Sequence, residues 1–155
     1  MKKLVLILSL FSSLFILTAC DTQVSYDIPT SSTSQTTKLP EPPVIDGQKT
    51  YANENIYTYY YGQTCTHCKK VDDYFKASGI DQRIHITTKE VQMNRVNSAE
   101  LMNVADELGI PTSQVGTPFI TVNEPDGNRY ALIGEDEVMN HFKELETQIR
   151  STMAE

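Results

Sequence analysis

The sequence predicts one α/β domain over residues 49–155, with elements in the order β-α-β-α-β-β-α, behind a leader and a tether. Two observations carry this. Short runs of β-branched and aromatic residues alternate with stretches whose apolar residues recur at helical spacing, the pattern of strands alternating with helices. Gly62, Gly79, Gly109 and Gly134 fall where those periodic segments stop.

Ile56-Tyr57-Thr58-Tyr59-Tyr60-Tyr61 is rich in β-favouring residues, and its four tyrosines suit a central strand packed on both faces. A helix beginning at Cys65 then carries Cys68, Val71 and Phe75 on one stripe, with Tyr74 alongside and Gly79 as its stop. Arg83 to Thr87 alternates as a strand, with Ile84 and Ile86 on one face and His85 on the other. The next helix is expected to open at Asn97 or Ser98, where Asn97 and Glu100 have capping-box spacing, and to bury Leu101, Val104, Ala105 and Leu108. Met93 and Met102 are expected in or near the core. Gly116 to Val122 reads as a strand led by Pro118, which is tolerated at a first strand position. Pro125-Asp126-Gly127-Asn128 is a turn, and Arg129 to Ile133 is the returning hairpin strand. The last helix presents Val138, Phe142, Leu145 and Ile149, and Glu135-Asp136-Glu137 at its start complements the helix dipole. His141 falls on its polar side, facing solvent.

Cys65-Thr66-His67-Cys68 is where reactive side chains are forced to cooperate. Residues three apart on a helix have Cβ atoms about 5–6 Å apart, close enough for a disulfide with little backbone movement. A thiolate at the helix start gains free N–H groups and the positive end of the dipole, and a protonated His67 adds charge beside it. A thiol of ordinary pKa near 8.5 is only about 3% ionised at pH 7, so such surroundings decide whether it attacks disulfides. Three other readings compete with redox chemistry. A structural zinc site wants four ligands, and no second cysteine pair exists to complete one, while His67, His85 and His141 stand far apart. A haem attachment needs histidine after the second cysteine, where Lys69 stands. An inert bridge over so short a loop constrains the unfolded chain little.

The chain has 155 residues and a net charge of −7, and removing residues 1–19, which contain Lys2 and Lys3 and no acid, takes it to −9. That acidity argues against nucleic acid as a partner. Lys2 and Lys3 precede an apolar run from Leu4 to Leu17, the layout of a secretory signal and too short to span a bilayer. Leu17-Thr18-Ala19-Cys20 resembles the lipobox of bacterial lipoproteins. The resemblance implies a signal peptide over residues 1–19, lipidation at Cys20 and an extracytoplasmic domain held at the bacterial cell membrane. It also accounts for the odd cysteine among three. Residues 20–48, with Ser31 to Thr37 and Pro40, Pro42 and Pro43, are poor in large apolar residues and are expected to form a flexible tether.

With Cys-x-x-Cys at the first strand-to-helix junction, residues 50–153 resemble the thioredoxin superfamily. The resemblance implies a thioredoxin-like fold with a central mixed sheet flanked by helices. It implies a cis-proline at Pro118 that, with Thr117, binds substrate backbone; Pro111 is the rival, but no strand follows it. It further implies an enzyme that exchanges disulfides with protein thiols through Cys65, the attacking thiol, and Cys68, the resolving one. Such an enzyme needs a redox partner but no diffusible cofactor, since the pair stores the electrons. Thr64 stands where these proteins usually carry tryptophan, and Tyr59 where they carry a buried acid, so water or a carboxylate such as Glu54 would have to relay protons to Cys68. His67 tunes the pair and is expected to make it more oxidising than thioredoxin, which favours an oxidase over a reductase. A metal- or haem-delivery lipoprotein and a catalytically silent adaptor are the alternatives.

Overall fold

A computed structural model describes residues 38–42, 44–45 and 48–154. The signal segment, Cys20 and the serine- and threonine-rich run up to residue 37 lie outside the described residues. The elements are β1 (Val44–Ile45), β2 (Gln48–Lys49), β3 (Ile56–Tyr61), α1 (Thr66–Ser78), β4 (His85–Glu90), α2 (Arg95–Glu107), β5 (Phe119–Asn123), β6 (Arg129–Ile133) and α3 (Glu135–Met153), with short 3₁₀ turns at Ile80–Gln82 and Thr112–Gln114. Among the described residues β1 and β2 pair only with each other. The remaining strands form one mixed sheet in the order β4-β3-β5-β6, with β3 parallel to β4 and antiparallel to β5.

β3 lies inside this sheet, and its alternation distributes the tyrosines between two cores. Tyr57 and Tyr59 face a cluster built with Val71 and Phe75 of α1 and Val138, Phe142 and Ile149 of α3. Tyr60 points the other way, against Leu101, Val104 and Ala105 of α2 and Phe119 of β5. The expectation of a strand packed on both faces is met. Because successive side chains of a strand alternate between faces, one interior strand can seat helices on both sides.

The seam between α1 and α3 is also polar: the Tyr74 hydroxyl donates to the Phe142 carbonyl at 3.1 Å and to Glu146 at 2.6 Å. Gly79 ends α1 in the left-handed region at φ 72°, its N–H returning to the Phe75 carbonyl at 2.7 Å. A Cβ there would also meet the flexible Lys38 side chain, but it is the left-handed backbone that calls for glycine.

Several expectations require correction. The folded body does not begin at residue 49. Leu39 is 3% exposed within the core, its N–H donates to Ser78 O at 2.6 Å, and the Arg83 guanidinium donates to Pro40 O at 2.7 Å. A single large apolar residue can dock a strand of otherwise polar composition. α2 opens three residues before the expected cap: Asn94 is the N-cap and accepts from Val96 N and Asn97 N, while the Asn97 side chain donates to Glu90 O. β4 runs on to Glu90 because it follows β3 in register as far as Tyr61. Met93 and Met102 are exposed, at 75% and 38%. His141 is half-buried, 3.4 Å from the Tyr57 hydroxyl and ringed by Tyr57, Tyr130 and Phe142; burial lowers its pKa.

Candidate active site

β3 ends at Tyr61, and the loop after it turns tightly, with Cys65 N–H donating to Gly62 O at 3.2 Å. Its outer side is held from the neighbouring strand. Glu90 gathers the N–H groups of Gln92, Met93 and Asn94, and Gln92 Oε1 accepts from Thr64 N at 3.0 Å. The residue before the first cysteine is thereby fixed by two side chains that the sequence reading passed over.

Cys65 is the N-cap of α1 and is bonded to Cys68 as a disulfide, with the two Cα atoms 5.2 Å apart. Its Sγ accepts the Cys68 N–H at 3.0 Å. The helix start therefore supplies a donor to the sulfur, as the spacing predicts, because the first N–H groups of a helix have no partner within it. The two sulfurs differ in access. Cys65 is half-buried, whereas Cys68 is 1% exposed and packs into the core.

The Thr117–Pro118 peptide is cis and opens β5, and Pro111 instead precedes the 3₁₀ turn at Thr112–Gln114. The Thr117 carbonyl oxygen lies 3.5 Å from Cys65 Sγ, so this loop forms the wall facing the exposed sulfur. Gly134 N–H donates to Pro118 O at 2.9 Å, which ties the start of α3 to the same loop. His67, Lys70, Thr117, Gly134, Glu135 and Asp136 line a groove of about 390 Å3 there.

His67 is not a free charge beside Cys65. Its Nδ1 is 2.7 Å from Glu135 Oε2, and Lys70 Nζ reaches both carboxylate oxygens at 2.9 and 3.0 Å. The His67 contact, followed by that of Lys70, holds the Glu135 carboxyl below its ordinary value. The sequence reading took Glu135 only as an acidic helix start; its partners are 65 and 68 residues away in the chain, and nothing local announces them.

Beneath Cys68, Tyr59 fills the place of the acid that the resemblance expects. Its hydroxyl donates to Cys68 O at 3.3 Å and also meets the Asp72 carboxyl, and burial raises the phenol pKa, so it stays a neutral donor. Burial likewise raises the pKa of Asp72, and the Tyr59 hydrogen bond opposes that rise. Asp72 is one turn beyond Cys68, a spacing that would have disclosed it. Glu54 precedes β3 and so stands at the opposite end of that strand from the cysteine loop. Among the described residues no group of three or more His, Cys, Asp or Glu side chains is placed to hold a metal ion.

No family model and no curated protein matches the sequence. Among solved structures, the chain is similar to a disulphide isomerase from Xylella fastidiosa Temecula1, with 14% identity over 65% of this chain and 79% of that one and a TM-score of 0.42. It is similar also to a thioredoxin from Malassezia sympodialis, at 17% identity, 64% and 77% coverage and a TM-score of 0.39. The reduced C-terminal domain of DsbD from Neisseria meningitidis is a third, at 18% identity, 62% and 82% coverage and a TM-score of 0.39. The chain's own strand order, with the Cys65–Cys68 pair at the first strand-to-helix junction, is that of a thioredoxin-like fold.

Proposed function

We propose that the protein is a thiol–disulfide oxidoreductase acting on protein cysteines outside the cytoplasm, held at the membrane by lipid on Cys20. The observation that carries the chemistry is a disulfide with one accessible and one buried sulfur, set at a helix start and faced by the Thr117 carbonyl. In the reduced protein the Cys65 thiolate attacks a client disulfide, forming a mixed disulfide and releasing one client thiolate, which takes a proton. Cys68, deprotonated, then attacks Cys65 Sγ, closing the pair and releasing the second client thiol. Two electrons have passed to the client, and run backwards the same steps oxidise it. Thr117 and Pro118 line the client groove, and Asp72, one turn beyond Cys68 and hydrogen-bonded to Tyr59, is the group we assign to take the Cys68 proton. A membrane or extracytoplasmic redox partner resets the pair; no further cofactor enters these steps.

Turnover of insulin disulfides by the purified domain, lost in Cys65→Ala, is the expected result. A protein that binds metal or haem but turns over no disulfide would establish the delivery role instead, and one inert in both assays would be an adaptor. The anchor rests on the lipobox-like Leu17 to Cys20 alone. Mass spectrometry of the mature N-terminus should find an acylated Cys20, and an unmodified N-terminus in the soluble fraction would remove the membrane from this reading. Stable anchoring takes two membrane signals, such as two acyl chains.

A further inference from the structure

We propose that Glu135 sets the redox poise of the Cys65–Cys68 pair: its carboxylate, held between His67 and Lys70 at the start of α3, offsets the positive charge those residues bring to the first turns of α1. The inference deepens the exchange chemistry proposed above and rests on it for its biological meaning.

His67 and Lys70 are three residues apart on α1 and therefore share a face. Both side chains are largely exposed, at 65% and 59%, whereas Glu135 is 20% exposed. The glutamate is thus the fixed member. Its backbone is fixed as well, because Gly134 is bonded to Pro118 O and the loop that faces Cys65 Sγ. The flexible His67 and Lys70 side chains are gathered onto one anchored carboxylate in a groove that Thr117, whose carbonyl faces Cys65 Sγ, also lines.

A positive charge near Cys65 stabilises the thiolate, hence the reduced pair, and so raises the potential. A carboxylate at the same place does the reverse. The charged groups to be counted are His67 and Lys70 from α1, Glu135 and Asp136 from α3, with the neutral Thr117 carbonyl from the loop before β5. Lys69 is taken up by Asp73 one turn on. Replacing Glu135 by glutamine removes one negative charge and leaves Lys70 charged. Because Glu135 also contacts His67, the comparison is made in a protein that lacks the imidazole, where the sign is fixed by the carboxylate and Lys70 alone.

The test is the equilibrium of the Cys65/Cys68 pair with glutathione redox buffers, which needs no client. H67A/E135Q is compared with H67A, and E135Q and E135D with the parent. We expect E135Q, in the H67A background, to shift the equilibrium constant roughly three- to tenfold toward the reduced protein; tenfold is about 30 mV for a two-electron couple. E135D keeps the charge and should stay near the parent. Because these groups are exposed, the shift should shrink between about 20 mM and about 1 M salt, a dependence that a merely structural role would not produce. No shift in the H67A background, a shift toward the oxidised protein, or a shift insensitive to salt would overturn the proposal. Absence of client turnover alongside the expected shift would instead overturn only the exchange function.

Discussion

Cys65 and Cys68 are one helical turn apart and bonded to each other, yet they occupy opposite chemical surroundings. The Cys65 sulfur meets hydrogen-bonding groups, Thr117 O and the Cys68 N–H, and Thr117 also lines the groove that holds His67, Glu135 and Lys70. Cys68 instead packs with Tyr59, Val71 and Phe75, and the Tyr59 hydroxyl, also bonded to Asp72, donates to its carbonyl. A helix start exposes one residue to unsatisfied donors and turns the residue three further on into the core. One element therefore gives the two sulfurs unequal access without any further device.

The largest expected effect breaks this asymmetry outright. Cys68→Ala should accumulate mixed disulfides between Cys65 and client proteins, visible on non-reducing gels, and Cys65→Ala should accumulate none. Equal trapping by both variants would mean that burial does not separate the two sulfurs.

Next in size is Asp72→Asn, which removes the carboxylate proposed to take the Cys68 proton. Closure of the pair from a mixed disulfide should slow by roughly tenfold or more in stopped-flow, while the first attack by Cys65 keeps its rate. Stability should move the other way. Burial raises the Asp72 pKa, so the folded state holds a proton more tightly than the unfolded chain, and stability falls as pH rises through that raised value. At neutral pH the asparagine variant is then the more stable protein. Slowing of both steps alike would place the proton acceptor elsewhere.

Tyr59→Phe should cost about 1–2 kcal/mol, because the Cys68 carbonyl and Asp72 both lose a donor at a position 1% exposed. A thermal melt within error of the parent would show that the hydroxyl contributes nothing there.

The smallest effect sharpens the contrast from a distance. His141 is kept neutral by burial, so below about pH 6.5 the unfolded chain gains a proton before the folded one does, and stability declines as pH falls. His141→Gln should flatten that acid slope while leaving the potential of the pair unmoved. A changed potential would tie the aromatic pocket at Tyr57 to the disulfide.

Much of this was legible in the sequence where local pattern and tertiary packing agree. Cys68, Val71 and Phe75 recur at helical spacing because that stripe faces the sheet, and Gly79 marks the helix end because only glycine takes its backbone turn without cost. Pro118 could be chosen over Pro111 because a strand follows it. What stayed hidden depends on partners far along the chain. Glu135 looks like a dipole complement until α3 brings it against α1, and Gln92 looks like a loop residue until it reaches Thr64. The start of α2 was misplaced because Asn94 and Asn97 are both plausible caps, and the Glu90 carboxylate, by organising the loop before them, makes Asn94 the cap. Leu39 was read as tether because the composition around it is polar, and composition averages away one residue that fits a hole.

That docked leucine also gives the domain a direction. The chain enters beside Ser78, at the C-terminal end of α1, and the disulfide sits at the N-terminal end of the same helix, about 20 Å away for thirteen residues at 1.5 Å each. A pull applied anywhere upstream of Leu39 is therefore delivered to the pole of the domain opposite its reactive sulfur.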